Sequence, residues 1–234
     1  MPMREIKRRL SWIDFLAPLS EEELDHLVGR ADFARLEEGE VLVVGPEEQA
    51  ERMHLAVAGQ LQVYEIALSS GRELTLWVLA SGSPPVGATG LVARWTRDLH
   101  IKALEPSLVC RIEQRDLEAL VCTIPEVGLR LARMLATQLM LMEDRWADMV
   151  EKDVSARLAG VLYMLVESEG VMSKEGALIP TRYTHRQLAS MIGANREAVT
   201  RAFAELLNGG CLEVKSRRVY VKDFDALRQC AGEQ

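Results

Sequence analysis

The sequence predicts an α+β chain in three parts: a β-rich N-terminal domain over residues 1–124, a long amphipathic helix over 125–151, and a helical C-terminal domain with a hairpin over 152–234. Three observations carry this reading. Glycines punctuate short strand-like runs in the first half; the apolar period then lengthens to that of a helix; and two capped helices near the C-terminus precede a basic hairpin.

In the first part, Val41–Val44, Met53–Val57, Leu61–Tyr64, Leu74–Leu79 and Leu108–Ile112 read as strands, separated by Gly39, Gly45, Gly59, Gly71, Gly82 and Gly87. Many short strands at such spacing predict an all-β sandwich or small barrel. A helical entry precedes it, where Ser20 and Glu23 fit a capping box before Leu24 and Leu27. In the second part, Leu135, Leu139, Met142, Trp146 and Met149 recur at spacings of 4, 3, 4 and 3, and Gly128 and Leu131 extend the rhythm backwards. That is the a/d seam of a coiled coil, so this is expected to be a dimerisation helix. In the third part, residues 152–168 form an amphipathic helix, and the polar stretch Ser168–Gly176 reads as a surface loop.

Composition bounds the function. Of 234 residues, 48% are hydrophobic and 27% charged, the balance of a globular chain. No run of 18 apolar residues occurs, so no membrane span is expected. Basic residues at the N-terminus are followed by no apolar h-region, so the chain is expected to be cytoplasmic. Cys110, Cys122, Cys211 and Cys230 form no CxxC pair, which argues against a zinc site or a disulfide framework and reads as buried or idle thiols.

The net charge of -7 hides an uneven division. Residues 182–222 hold eight of the 28 Lys/Arg and three of the 35 Asp/Glu, a local +5, which leaves 20 against 32, or -12, elsewhere. A basic segment on an acidic body is the footprint of a small DNA-contacting face.

Within that segment, Thr184 and Gln187 form a second capping box, Leu188 and Ile192 share one face, Ala189 is small enough for a close helix crossing, and Gly193 permits a left-handed turn. Asn195 caps the next helix, whose inner face is Val199, Ala202, Phe203 and Leu206 and whose outer face is Arg196, Glu197, Thr200 and Arg201. An arginine can make paired hydrogen bonds to a guanine edge, and a carboxylate can accept from cytosine. Two strands, Leu212–Val214 and Val219–Val221, flank the basic tip Lys215-Ser216-Arg217-Arg218. The whole reads as a winged helix-turn-helix that binds double-stranded DNA, with Thr184, His185, Arg186, Arg196, Glu197, Thr200, Arg201, Lys215, Arg217 and Arg218 as the candidate contacts.

The order of parts, and the stretch Gln187-Leu188-Ala189 with Gly193-Ala194-Asn195-Arg196-Glu197-Ala198-Val199-Thr200-Arg201, resembles the family of the cAMP receptor protein and the fumarate-nitrate reduction regulator (CRP/FNR). The resemblance covers nearly the whole chain. It implies a jelly-roll, cyclic-nucleotide-binding-like effector domain, a homodimer, RNA polymerase as a partner, and activation or repression at promoters through palindromic sites with TGTGA-like halves. It also implies Arg196, Glu197 and Arg201 as base readers.

The effector cassette departs from that family's pattern. Val86-Gly87-Ala88 and then Arg97-Asp98 stand where a carboxylate and an Arg-Ser pair would hold a cyclic nucleotide, and Met142 and Glu143 replace polar contacts on the helix. Alanine cannot bond a ribose hydroxyl and Asp98 repels phosphate. No cofactor is therefore expected, and cyclic AMP least of all. Three other readings stand beside this one: a haem or other small-molecule sensor, with His54 and His100 as the histidines able to ligate iron; a metal-dependent β-barrel enzyme, against which stands the absence of an HxH pairing; and a ligand-free regulator controlled by its own abundance. Neither catalytic nor metal-ligating residues are assigned.

Overall fold

The computed structural model describes residues 1–87, 98–216 and 218–232. The chain divides into two compact units, Met1–Leu141 and Met142–Gln234.

The first unit opens with helix α1 (Met3–Leu10), which buries Ile6 and Leu10 and carries charge elsewhere; Glu5 pairs with Arg8 at 2.8 Å and Arg9 at 3.0 Å. Helix α2 (Glu21–Arg30) begins at the expected capping box. The Ser20 hydroxyl accepts from the Glu23 amide at 3.3 Å, and the Glu23 carboxylate accepts from the Ser20 amide at 2.8 Å. Strands β1 (Asp32–Leu36) and β2 (Val41–Val44), helix α3 (Pro46–Glu51), and strands β3 (Arg52–Ala58), β4 (Leu61–Ile66), β5 (Glu73–Leu79), β6 (Leu99–Ala103) and β7 (Ser107–Glu113) follow. They build two antiparallel sheets, in the orders β1-β7-β3 and β2-β6-β4-β5. This is the double-sheet architecture that the resemblance implied, with β1 and β6 added to the strands read from the sequence.

The three-stranded sheet is packed on both faces. Leu36, Ala56 and Val109 meet Val44, Leu61, Val63, Leu79 and Ile101 of the other sheet. On the opposite face, Met53, Leu55, Val57, Leu108, Cys110 and Ile112 lie under Ile6, Leu10, Phe15 and Leu27. Burying such side chains contributes about 1.5–3 kcal/mol each, and a strand buried on both sides loses the alternation that marks a half-exposed one. Gly59 turns β3 into β4 at φ +80°, and a Cβ there would collide with Ser107 and the Pro106 carbonyl.

Helix α4 (Gln114–Thr123) leads into α5 (Pro125–Glu151), the long helix expected over the same residues. Its Val127 and Leu131 are buried in the first unit's core, so the rhythm before Leu135 packs on its own domain, and Leu135 is half-buried. Leu139, Met142, Trp146 and Met149 are exposed.

The second unit contains α6 (Val154–Glu169), β8 (Val171–Ser173), β9 (Gly176–Ile179), α7 (His185–Met191), α8 (Arg196–Asn208), β10 (Leu212–Lys215), β11 (Arg218–Val221) and α9 (Phe224–Cys230). Leu158, Leu162 and Leu165 of α6 share a core with Leu188, Ile192, Val199, Phe203, Leu206 and Leu227. Of the stretch expected to be a surface loop, Ser168 and Glu169 end α6 and the rest opens a hairpin. Val171–Ser173 pairs with Gly176–Leu178, which joins the wing in a sheet of order β10-β11-β9-β8. The strand residues of β8 are all exposed, so no burial pattern announced them. Among the described residues no helix is long and apolar enough to cross a membrane.

Candidate nucleic-acid interface

The geometry of the helix pair is set by three local devices. The Thr184 hydroxyl accepts from the Gln187 amide at 3.2 Å, while the Gln187 side-chain oxygen accepts from the Thr184 amide at 2.7 Å, fixing the start of α7. Gly193, at φ +62°, makes the left-handed step out of α7, and the Ala194 amide donates to the Ala189 carbonyl at 2.9 Å. The Asn195 side chain then accepts from the Ala198 amide at 2.7 Å and starts α8.

From that start the helix separates its faces. Val199, Ala202, Phe203 and Leu206 are buried, whereas Arg196, Glu197, Thr200 and Arg201 are exposed within its first two turns. Arg196 and Arg201 form no ion pair among the described residues, so their guanidinium donors are turned to solvent and available to a ligand. Glu197 sits in the first turn, where the helix dipole favours a carboxylate.

Thr200 differs from its neighbours. Its hydroxyl donates to the Arg196 carbonyl at 2.9 Å, the ordinary bond of a helical threonine, and lies 2.9 Å from His185 Nδ1. With the hydroxyl proton so committed, Nδ1–H of His185 is the donor. The His185 ring also packs on Phe203, centroids 5.1 Å apart. Burial, and then the charge of Arg196, hold the His185 imidazole below its ordinary pKa. His185, expected as a DNA contact, thus joins α7 to the outer face of α8. The exposed Thr184 and Arg186 flank it, with the Thr184 side chain engaged in its cap.

The wing is the β10–β11 hairpin, in which Lys215 is opposite Arg218 and Ser216 takes φ 51° at the tip. Lys215 lies 3.2 Å from Glu213 and 3.3 Å from Glu175, and these carboxylates raise its pKa. Glu213, also 3.3 Å from Lys222, is held below the usual carboxylate range by Lys215 first. Lys215 therefore braces the wing beside its tip, tying it to Glu175 before β9. Arg218 is half-buried and forms no ion pair among the described residues, and Arg217 lies outside them.

Of the expected effector cassette, Ala88 and Arg97 lie outside the described residues. Val86 is buried and exchanges backbone hydrogen bonds with His54 at 2.8 and 2.9 Å; Gly87 has φ +88°; Asp98 is exposed. Met142 and Glu143 are exposed on α5. His54 is 1% exposed, with Nε2 3.3 Å from Glu48, and burial holds its imidazole below the ordinary value against that carboxylate. His100 stacks on Tyr64 at 5.0 Å. Among the described residues no group of three or more His, Cys, Asp or Glu could hold a metal ion.

Comparison with known proteins agrees with this geometry. Residues 156–230 match the Crp-like helix-turn-helix domain. The chain is 25% identical over 186 residues to the global nitrogen regulator of Synechocystis sp., covering 79% of this chain and 82% of that protein. It is 24% identical over 218 residues to the fumarate and nitrate reduction regulatory protein of Escherichia coli, covering 92% and 84%. A solved CRP-family transcriptional regulator from Thermus thermophilus superposes with a TM-score of 0.70 at 24% identity, over 86% of this chain and 97% of the other, a likeness of fold. With the capped helix pair, the exposed arginines and the wing, these matches give residues 156–230 a Crp-like helix-turn-helix domain, in a chain similar along most of its length to regulators of the CRP/FNR type.

Proposed function

We propose that the chain binds a palindromic DNA site as a homodimer, that Arg196, Glu197 and Arg201 read bases in the major groove, and that it does so without a cyclic nucleotide. The observation that carries this reading is the first two turns of α8, where two arginines and a glutamate stand exposed beside a closed apolar core. Arg196 and Arg201 each read a guanine and Glu197 a cytosine on the opposite strand. Arg217 and Arg218 contact phosphate, which binds without reading sequence. RNA polymerase is the partner through which such a protein acts at a promoter, as its resemblance to the CRP/FNR family suggests.

The exposed row Leu139, Met142, Trp146 and Met149 supports the dimer, because two such rows can bury one another at the spacing of a coiled coil. A two-fold dimer presents its recognition helices to successive major grooves, so half-sites resembling TGTGA are expected about one helical turn apart. Ala88 and Asp98, by their chemistry, support independence from cyclic nucleotides.

Selection of bound DNA from a random pool, with protein free of metal and nucleotide, tests the reading as a whole. The expected outcome is a two-fold symmetric consensus, unchanged when cyclic AMP or cyclic GMP is added. A large gain in affinity at micromolar nucleotide would overturn the effector-free reading, and an asymmetric consensus the dimer. Leu139→Glu with Trp146→Glu should yield monomers in sedimentation, since burying unpaired charge in the seam costs several kcal/mol.

A further inference from the structure

Two thiols that lie 19 residues apart in sequence meet in the second unit: Cys211 Sγ and Cys230 Sγ are 4.0 Å apart. Both are free, Cys211 buried and Cys230 exposed. The backbone at each is fixed. The Cys211 amide donates to the Leu206 carbonyl at 3.2 Å, and its carbonyl accepts from the Lys222 amide at 2.9 Å, which places it at the base of the wing. Cys230 ends α9, a helix capped by Asp223 and anchored by the fully buried Leu227 and the Ala231 that follows. A disulfide needs its sulfurs about 2.05 Å apart, so closure asks for a side-chain adjustment of about 2 Å.

We propose that Cys211 and Cys230 are a redox pair that closes a reversible disulfide across the base of the wing in the presence of a peroxide. The exposed Cys230 reacts first. Its thiolate sulfur attacks one peroxide oxygen, the O–O bond breaks, the sulfur is oxidised by two electrons to a sulfenic acid, and the second oxygen leaves as hydroxide and takes up the proton the thiol released. The Cys211 sulfur then attacks the sulfenic sulfur. The S–S bond forms, the S–O bond breaks, and the departing hydroxide takes the Cys211 proton as water. Two thiols and one hydrogen peroxide thus give one disulfide and two waters.

The division of roles follows from placement. Burial, and then the neighbouring Cys230, push the Cys211 thiol up, so it stays protonated until a sulfenic acid forms beside it. Cys110 is fully buried in β7 and its thiol is pushed up to about 12, which removes it from competition. The loop closed by the bond contains β10, β11 and α9, and hence Lys215 and Arg218. Oxidation therefore ties the wing to α9, and the relevance of that tie to DNA rests on the proposed function.

The test uses the reduced full chain and a small excess of hydrogen peroxide, followed by alkylation and non-reducing mass spectrometry. The expected result is a loss of about 2 Da, two fewer alkylated thiols, a peptide linking Cys211 to Cys230, and reversal by dithiothreitol. Cys230→Ser, an exposed and conservative change, should abolish the link, and in Cys211→Ser the unresolved Cys230 should advance to the sulfinic acid, a gain of about 32 Da. A wild-type Cys230 that reaches the sulfinic acid unlinked, or a link to Cys122 or to a second copy, would overturn the proposal. No DNA enters the assay, so its outcome is separate from that of the DNA-binding reading.

Discussion

The two units use some of their cations differently. In the first, arginines are tied to carboxylates of other elements: Arg30 to Asp116 at 2.7 Å, Arg130 to Asp14 at 3.0 Å, and Arg111 to both Asp32 and Glu48. In the second, Arg196 and Arg201 on α8 and Arg218 on the wing have no ionic partner among the described residues, while Lys215 beside the wing tip is held by two carboxylates. Surface pairs of the first kind contribute little to stability, about 0–1 kcal/mol each, so their presence does not make the first unit a better fold. The difference lies in what is left available. One unit ties several arginines across its own elements, and the other leaves Arg196, Arg201 and Arg218 exposed or half-buried without an ionic partner among the described residues.

That contrast can be broken by experiment. The largest effect should come from the core beneath α8: Leu162→Ala should cost about 2–5 kcal/mol and remove hydrogen-exchange protection from α6 and α8. If protection is unchanged, the apolar core does not hold the reading face. Next, Arg201→Ala should cost about 1–3 kcal/mol in DNA affinity and relax preference at one base pair only. A uniform loss over a panel of single-base site variants would remove α8 from the role of reader. Asn195→Ala should cost roughly 0.5–2 kcal/mol of stability, checked by denaturant titration, because the Ala198 amide loses its acceptor. Arg218→Ala should weaken all sequences alike and flatten the salt slope by about one unit, measured at two or more salt concentrations.

The smallest effect is a pH dependence in the first unit. His54 is held below its ordinary value of 6.5 by burial, with Glu48 opposing and Arg111 and Arg52 assisting. The unfolded chain therefore takes up the proton first. The stability from this group is fully present above the unfolded value and is lost as the pH falls toward and through the folded one. Thermal melting at about pH 7.5 and about pH 5.5, on either side of the ordinary histidine value, should show a smaller acid loss for His54→Gln than for the parent chain. Equal losses would place the sensitivity elsewhere.

Local chemistry made much of the second unit readable. Both capping boxes, the Gly193 turn and the Asn195 cap are short-range devices, and each has the hydrogen bonds or dihedral that its residues implied. The elements that escaped depend on distant partners. Strand β1 carries Asp32 and Arg35 and is a strand because it pairs with β7, far along the chain; β6 is fixed by β2 and β4 on either side. Helix α1 shows only Ile6 and Leu10 to the core among charged neighbours, too thin a stripe to stand out. The Cys211–Cys230 contact was illegible for the same reason, since it requires the wing and α9 to fold back together. In the candidate interface, the outer residues of α8 could be read in advance, but the anchoring of Thr200 by His185 could not, because it joins two helices.

That last contact bears on how such a protein can change its target. The side chains of Arg196, Glu197 and Arg201 make no ion pair among the described residues, so their identities can drift, or be redesigned, with little penalty to folding. Thr200 has no such freedom. A new residue there must still meet His185, or must change together with it. On the proposed reading, alphabets of binding sites reachable by one mutation should be wide at three of the four outward positions, and at the fourth should open only through paired changes at 185 and 200.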